Sequence, residues 1–216
     1  PHLAWDQLMA ILDRQDEQGA FPDYVNDTYH SFKYLKPPIH GWTLRKLMAR
    51  GWVTRRHLRE VYEPLCRATN WWFDYRDYDH DGVPQYNHGN DSGWDNATCF
   101  DVGYPTEGPD LMAFLAIQSE VLGDVAQTLG KSAQARQWRD RSGQISERMI
   151  EHFWTGIKFH ALSSGAHQAD TQGDCLLNFM PIVLGNRLPA DIRRKLVAGL
   201  KRPGRFLTPD ALATES

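Results

Sequence analysis

The segment from Asn90 to Asn96 holds the residues whose types and spacing are best suited to chemistry. It reads Asn-Asp-Ser-Gly-Trp-Asp-Asn, so two carboxylates and two amides surround a short turn and one indole. Aromatic faces stack on the C–H surfaces of sugar rings, while carboxylates and amides bind hydroxyls or transfer protons. The segment therefore favours a carbohydrate site. The simpler alternative is a polar loop anchored by Trp94.

Asp95 is the stronger candidate of the two acids because Trp94 and Asn96 flank it directly. A carboxyl group that an indole partly desolvates has a raised pKa, which suits it to donate a proton. We therefore expect Asp95 to act as a general acid and Asp91 to hold sugar hydroxyls.

Further candidates for substrate contact lie next to this segment or at the mouth of a predicted helix. His40 and His88 are expected beside the site, although an isolated histidine is more often a hydrogen-bonded structural residue. Trp42 suits a core as well as a sugar platform. The complete set of predicted substrate-binding residues is His40, Gly41, Trp42, His88, Asp91, Trp94 and Asn96.

An acidic turn precedes this segment. Asp77, Asp79 and Asp81 alternate along the chain and Gly82 follows them, which matches the opening half of a calcium loop. The twelfth position is His88, which cannot supply the bidentate carboxylate of an EF-hand, so a calcium ion would need a distant oxygen ligand. A solvated acidic turn without metal is the alternative.

Composition narrows the class of partner. The 216 residues include 24 Lys and Arg against 27 Asp and Glu, with the basic residues scattered, so nucleic-acid and anionic-membrane partners are disfavoured. An aromatic content of 12% favours a cleft for a neutral polar ligand. The three cysteines show no zinc spacing. The compartment stays open, with the cytoplasm slightly favoured.

Hydrophobic periodicity predicts a mostly helical chain that forms a single domain over residues 1–216. Only the stretch 153–162 alternates as a small β-hairpin, and residues 74–108 show no period. Helix pairs with long loops on one side stack into a solenoid or close into a toroid, and such loops line one face. Helices are predicted over 2–18, 42–50, 54–73, 111–129, 135–153, 174–184 and 189–200. Thr54 is the expected N-cap of the third helix, and Gly130 separates the next two into an antiparallel pair. The expected apolar face of the third helix comprises Leu58, Val61, Tyr62, Leu65, Ala68 and Thr69.

Four motifs together resemble glycoside hydrolase family 63, in particular its bacterial α-glucosidase-like and mannosylglycerate hydrolase-like members. They are Lys36–Trp42, the acidic turn through Tyr86, His88–Asn96 and Phe206–Ser216. The acid-Ser-Gly-Trp-Asp string is also similar to that of the family 37 trehalases. The resemblance covers nearly the whole chain.

The resemblance implies an all-α fold made of the helical hairpins of an (α/α)6 toroid, and an inverting, exo-acting hydrolase of α-glucosidic or related α-glycosidic bonds. It places the general acid on Asp95 and a Ca²⁺ ion, where one is bound, on Asp77, Asp79 and Asp81. It implies no organic cofactor. The substrate would be an α-linked glucoside or oligosaccharide.

An inverting mechanism also needs a carboxylate that acts as general base. In the resembling family this Glu follows the Thr-Pro segment, beyond Ser216. Glu107 and Asp174 are acids at predicted helix starts, but their spacing nominates neither as the base. We therefore expect an incomplete toroid that needs the rest of the catalytic domain or another chain, and low activity of this chain alone. Two other classes stay open, namely a calcium-dependent carbohydrate-binding module and another (α/α)6 sugar enzyme such as an epimerase.

Overall fold

The computed structural model describes residues 2–169 and 174–215, and these ranges are mostly helical. The chain divides into two compact units, one of Pro1–Tyr75 with Phe114–Gln144 (unit 1) and one of Arg76–Ala113 with Ile145–Ser216 (unit 2). In the described ranges, no helix is both long enough and apolar enough to span a lipid bilayer.

The elements follow one another along the chain as α1 (His2–Leu12), β1 (Tyr24–Val25), β2 (His30–Ser31), α2 (His40–Ala49), α3 (Arg55–Tyr75), β3 (Gln85–Tyr86), α4 (Gly89–Ser92), β4 (Thr106–Glu107), α5 (Pro109–Leu129), α6 (Ser132–Phe153), β5 (Leu162–Ser163) and α7 (Ala190–Leu200). Short 3-10 turns cover Thr98–Phe100 and Leu176–Arg187. The long periodic helices lie close to their predicted positions.

The first helix ends earlier than predicted. It stops at Leu12 instead of continuing to Gln18. The carboxylate of Asp16 accepts hydrogen bonds from the backbone N–H groups of Gly19 (2.7 Å) and Ala20 (2.8 Å). A side chain that satisfies nearby backbone donors in this way stabilises a turn in competition with the helix.

Helix α3 begins with the predicted N-cap at Thr54. Its Oγ1 accepts a hydrogen bond from the backbone N–H of His57, whose ring nitrogen accepts one from the backbone N–H of Thr54. This reciprocal pair satisfies two donors at the helix start. The predicted apolar face is buried, and it comprises Leu58, Val61, Tyr62, Leu65, Ala68 and Thr69.

Helices α5 and α6 run antiparallel in unit 1, as predicted. Ser142 donates a hydrogen bond to the carbonyl oxygen of Ala116 (2.8 Å), and Arg139 pairs with Asp124 (3.1 Å), so the order of contacts reverses between the two helices. Between the helices, Gly130 has a φ of 85°, a conformation that a residue with a Cβ adopts at a cost.

Unit 2 contains an antiparallel sheet in the order β3-β4-β5. Glu107 of β4 is paired with Gln85 on one side and Leu162 on the other. Residues 74–108 show no period in the sequence, and in the structure they contain only short elements. Two-residue strands and a four-residue helix are too short to produce a period, and their partners lie far away in the chain.

The predicted β-hairpin at 153–162 was only partly correct. Helix α6 continues to Phe153, and Trp154 and Phe159 form one isolated antiparallel bridge around a turn. Leu162 belongs to β5, which pairs with β4 rather than with the preceding strand segment. The alternating pattern therefore located the turn but not the pairing partner.

The helix predicted at 174–184 is replaced by the 3-10 turns of Leu176–Arg187, which are interrupted at Gly185 (φ 58°, ψ −125°). Pro181 lies inside this segment, where it lacks the N–H that a regular α-helix needs. The following prediction is confirmed, since α7 begins directly after Pro189. Residues 170–173 lie outside the described ranges.

Candidate active site

The short helix α4 holds the Asn90–Asn96 segment in place. Its N-cap is His88, whose Nδ1 accepts a hydrogen bond from the backbone N–H of Asn90 (3.1 Å). The helix ends at Gly93, which has a φ of 79°. At the same end, Ser92 donates to the carbonyl oxygen of Gly89 (2.6 Å) and accepts from the backbone N–H of Trp94 (2.9 Å). The turn before Asp95 is thus fixed by local hydrogen bonds.

Asp91 is a buried residue of this helix whose side chain caps the start of the helix. It is only 2% exposed, and its Oδ2 accepts hydrogen bonds from the backbone N–H groups of Asn87 (2.8 Å) and His88 (3.2 Å). The same oxygen lies 3.3 Å from a guanidinium nitrogen of Arg76. Asp91 therefore has a capping role, which the sequence did not predict, and its contact with sugar hydroxyls stays a prediction.

Asp95 lies on an open surface of unit 2. It lines a cleft of about 420 Å³ and its side chain is exposed. The indole of Trp94 is half-buried beside this carboxylate, and the role of Asp95 as general acid stays a prediction. The cleft is lined by Gly93, Trp94, Asp95, Asn96, Ala97, Thr214 and Glu215.

Glu215 is a cleft residue that the sequence reasoning missed. Its carboxylate accepts hydrogen bonds from the backbone N–H (3.2 Å) and the hydroxyl (2.9 Å) of Thr98, three residues after Asp95. It thereby joins the end of the chain to the loop that carries the acid. The Thr214-Glu215 pair was noted only as part of the family motif, and its 117-residue separation from Thr98 gives no local signal.

His88 has an exposed ring that stacks on Tyr104, with centroids 5.3 Å apart and planes 5° apart. Tyr104 in turn stacks on Phe100 at 5.7 Å. His88 therefore combines a capping nitrogen with an aromatic contact, both within unit 2. Asn96 is exposed in the cleft beside Asp95.

The remaining predicted substrate residues belong to unit 1. Gly41 packs against α5, since a Cβ there would lie 2.6 Å from Cα of Gln118, and its N–H donates to the Gln118 side chain (3.0 Å). Trp42 is 41% exposed under the ammonium group of Lys46. Burial lowers the pKa of His40 to about 4, so its imidazole is neutral at neutral pH.

The acidic turn brings Asp77, Asp79 and Asp81 together, with one oxygen of each within 4.8 Å of the others. Asp77 also accepts hydrogen bonds from the backbone N–H groups of Asp81 (3.1 Å) and Gly82 (3.0 Å). These carboxylates suit the oxygen-rich environment that Ca²⁺ prefers. Calcium binding by the turn stays a prediction.

A second cluster adjoins the acidic turn. It comprises Asp81, Glu107, His152 and His167, each offering one ligand atom within 4.8 Å of the others. Glu107 drew attention in the sequence only as an acid near a helix start, and the two histidines had no motif. Asp174, the other acid considered there, forms ion pairs with Lys158 and Arg205.

Several solved structures share this fold. The mannosylglycerate hydrolase of family 63 from Thermus thermophilus in complex with glucose matches with a TM-score of 0.73 and 16% identity, over 91% of this chain and 63% of that one. Its complex with Tris and D-glycerate matches with a TM-score of 0.74 and 15% identity, over 98% and 72%. An α-L-rhamnosidase from Dictyoglumus thermophilum gives 0.57 and 18%, over 91% and 21%.

These matches confirm the predicted fold class, which is part of an (α/α)6 toroid. The chain spans 63% of the length of the first of these structures. No curated protein matches the chain in sequence. Residues 1–216 match the family described as mannosylglycerate hydrolase MGH1-like glycoside hydrolase domain, and the chain belongs to that family.

Proposed function

We propose that this chain is the acid-bearing part of an inverting, exo-acting glycoside hydrolase that cleaves an α-glucosidic or related α-glycosidic bond. The observation that carries the proposal is the exposed carboxylate of Asp95 at a cleft, on a loop whose backbone is held by the buried Asp91 cap. A fixed backbone and an accessible acid are what proton transfer to a bound substrate requires.

Asp95 would donate its proton to the glycosidic oxygen as the bond to the sugar breaks. The half-buried indole of Trp94 offers a face for the sugar ring, and the exposed amide of Asn96 offers both donors and an acceptor for its hydroxyls. We do not include Asp91 among the proposed sugar contacts, because its carboxylate accepts hydrogen bonds from the backbone of Asn87 and His88.

The general base needs a second carboxylate about 6.5–9.5 Å from the acid, which leaves room for the attacking water. Glu215 lines the same cleft, but Thr98 donates two hydrogen bonds to its carboxylate. We assign Glu215 to positioning the acid loop. The base would come from the remainder of the catalytic domain or from another chain.

The names of the related structures suggest the substrate class to test. One relative is a mannosylglycerate hydrolase crystallised with glucose, with Tris, and with Tris and D-glycerate. A short α-glycoside with a small acidic aglycone, such as α-glucosyl- or α-mannosylglycerate, is the first choice. Maltose and trehalose complete a panel that separates aglycone preference from sugar preference.

The test of the acid is Asp95→Asn in the complete enzyme, assayed on an unactivated α-glycoside of this panel. Loss of a general acid lowers the rate by roughly 10²–10⁴-fold, and the exposed position predicts an unchanged fold by circular dichroism. Asp101→Asn, at an exposed position after the 3-10 turn, is the matched control and should keep full activity. Near-wild-type turnover by Asp95→Asn refutes the assignment.

The stereochemical outcome is tested separately. The anomer first released from an α-glycoside by the complete enzyme is followed by NMR, and inversion gives the β-anomer. An α-configured first product would exclude an inverting mechanism while leaving the role of Asp95 in proton transfer intact.

A further inference from the structure

We propose that Cys99 and Cys175 form a reversible disulfide bond, so that unit 2 carries a thiol pair which a low-molecular-weight disulfide oxidises. Both residues are free thiols in the structure. The third cysteine of the chain, Cys66, belongs to unit 1 and serves as an internal control.

The two cysteines come together from distant parts of the chain. Cys99 lies in the 3-10 turn Thr98–Phe100, and Cys175 directly precedes the 3-10 turns of Leu176–Arg187. The thiol of Cys99 donates a hydrogen bond to the sulfur of Cys175. A disulfide requires two side chains that point toward each other across a short distance, and a hydrogen bond between the two thiols meets this condition.

One residue, Glu215, contacts the backbone on both sides of the pair. Its carboxylate accepts hydrogen bonds from Thr98, the residue before Cys99. Its own backbone forms an isolated antiparallel bridge with Cys175. The two cysteines are therefore held opposite each other, and a disulfide would orders little additional backbone. The bond would join the turn that follows Asp95 to the start of the 176–187 segment.

Burial limits the access of an oxidant to the pair. Cys99 is 5% exposed and Cys175 is 0% exposed. The segment 207–215, which pairs with Cys175 at its end, is itself largely exposed, and the N–H of Leu176 donates to the carbonyl oxygen of Thr214 (2.8 Å). Because exposed segments with few contacts open at low cost, we expect oxidation at the rate of this local opening, slower than that of a surface thiol.

The reaction is a thiol–disulfide exchange with a small disulfide such as glutathione disulfide. One protein thiolate attacks a sulfur of the reagent, which gives a mixed disulfide and releases one reduced thiol. The second protein thiol loses its proton and attacks the mixed disulfide, which releases another. Two protein thiols are thus oxidised, one reagent disulfide is reduced, and the two protons pass to the released thiols.

The contact between the thiols also decides which one attacks. The hydrogen bond from Cys99 lowers the pKa of Cys175, against the effect of burial, so Cys175 is the attacking residue and Cys99 the resolving one. By contrast, burial raises the pKa of Cys66 to about 12. Since the thiolate is the reactive form, Cys66 should react poorly at neutral pH.

The experiment detects the cross-link by mass spectrometry. The purified, reduced protein is incubated with glutathione disulfide in native buffer, free thiols are then blocked with N-ethylmaleimide in denaturant, and proteolytic peptides are separated without reduction. We expect a peptide pair joined through Cys99 and Cys175, which dithiothreitol separates, and blocking reagent on Cys66. The Cys66→Ala variant should give the same cross-link, whereas Cys99→Ala should give none.

Thermal unfolding gives a second readout. A disulfide that closes a long loop of the unfolded chain stabilises the folded protein, so oxidation should raise Tm by roughly 4 °C or more. Reduction should reverse the shift, and oxidation of Cys99→Ala should not produce it. The peptide map of the wild-type protein needs no variant, so it tests the pair even if Cys99→Ala fails to fold.

A native protein that keeps all three thiols free after this treatment overturns the proposal. So does a native protein whose cross-links include Cys66 as often as those of the same protein oxidised in urea, where folding no longer selects the pair. No sugar substrate is needed, so the result is independent of the proposed hydrolase activity.

Discussion

Gly89 and Asp95 are packed so closely that a Cβ atom at position 89 would lie 2.7 Å from the carbonyl oxygen of Asp95. The same atom would lie 2.9 Å from the hydroxyl oxygen of Tyr104. Gly89, the first residue of α4, therefore packs directly against the backbone of Asp95, and only glycine fits at this position.

The first prediction is that Gly89→Ala displaces the acid loop. Overpacking of this kind costs about 1–3 kcal/mol of unfolding free energy, and a shift of the Asp95 backbone should also lower kcat in the complete enzyme. Gly143→Ala is the matched control, because a Cβ at that position would meet no described atom within 4 Å and its helix tolerates alanine. Equal stability of the Gly89→Ala variant and wild type in urea denaturation contradicts the close packing.

The second prediction concerns the cap inside the loop. Asp91→Asn removes a buried carboxylate that two backbone N–H groups and Arg76 contact. Because an uncompensated guanidinium would be left beside the amide, we expect a loss of about 2–4 kcal/mol in unfolding free energy. A sugar-binding role alone would instead raise KM and leave the denaturation midpoint unchanged, so urea titration and kinetics on one sample separate the two.

Features that depend on residues close together in the chain could be predicted from the sequence, whereas contacts between distant residues could not. The apolar face of α3 and its Thr54 cap were predicted correctly because both depend on neighbours within the same helix. The capping role of Asp91 was not predicted, because a carboxylate beside a short turn suits a ligand as well as a cap. The contact of Glu107 with His152 spans 45 residues and two unrelated elements, so no spacing in the sequence could reveal it.

The third prediction tests the link between Glu215 and Thr98. The hydrogen bond from the Thr98 hydroxyl to the Glu215 carboxylate should appear as a coupling energy of about 1 kcal/mol in a double-mutant cycle of Glu215→Gln and Thr98→Val, measured by urea denaturation. As a control, Glu215→Gln and Thr128→Val should be additive, since Thr128 bonds only its own helix among the described residues. Additive effects of the Glu215 and Thr98 substitutions would show that Glu215 does not position the loop that carries Asp95.

The fourth prediction is a pH dependence of stability that arises at Asp110. Burial raises the pKa of this carboxyl to about 7, even though Tyr86 donates a hydrogen bond to its Oδ2 (2.7 Å). The unfolded chain loses the same proton near pH ~3.9. Between these values the folded protein binds more protons, so the free energy of unfolding falls as pH rises from about 4 to about 7 and then levels off.

Asp110→Asn keeps the size of the side chain and an acceptor for Tyr86 while removing the ionisation. It should therefore be less stable relative to wild type at pH 4 than at pH 8, and the difference between the two proteins should change by up to about 4 kcal/mol across the window. Burial also raises the pKa of Glu107, so part of the slope remains in the variant. Asp6→Asn, at an exposed position on α1, should follow the wild-type curve. Parallel curves for wild type and Asp110→Asn, in urea titrations at closely spaced pH values, would show that the Asp110 carboxyl ionises normally in the folded protein.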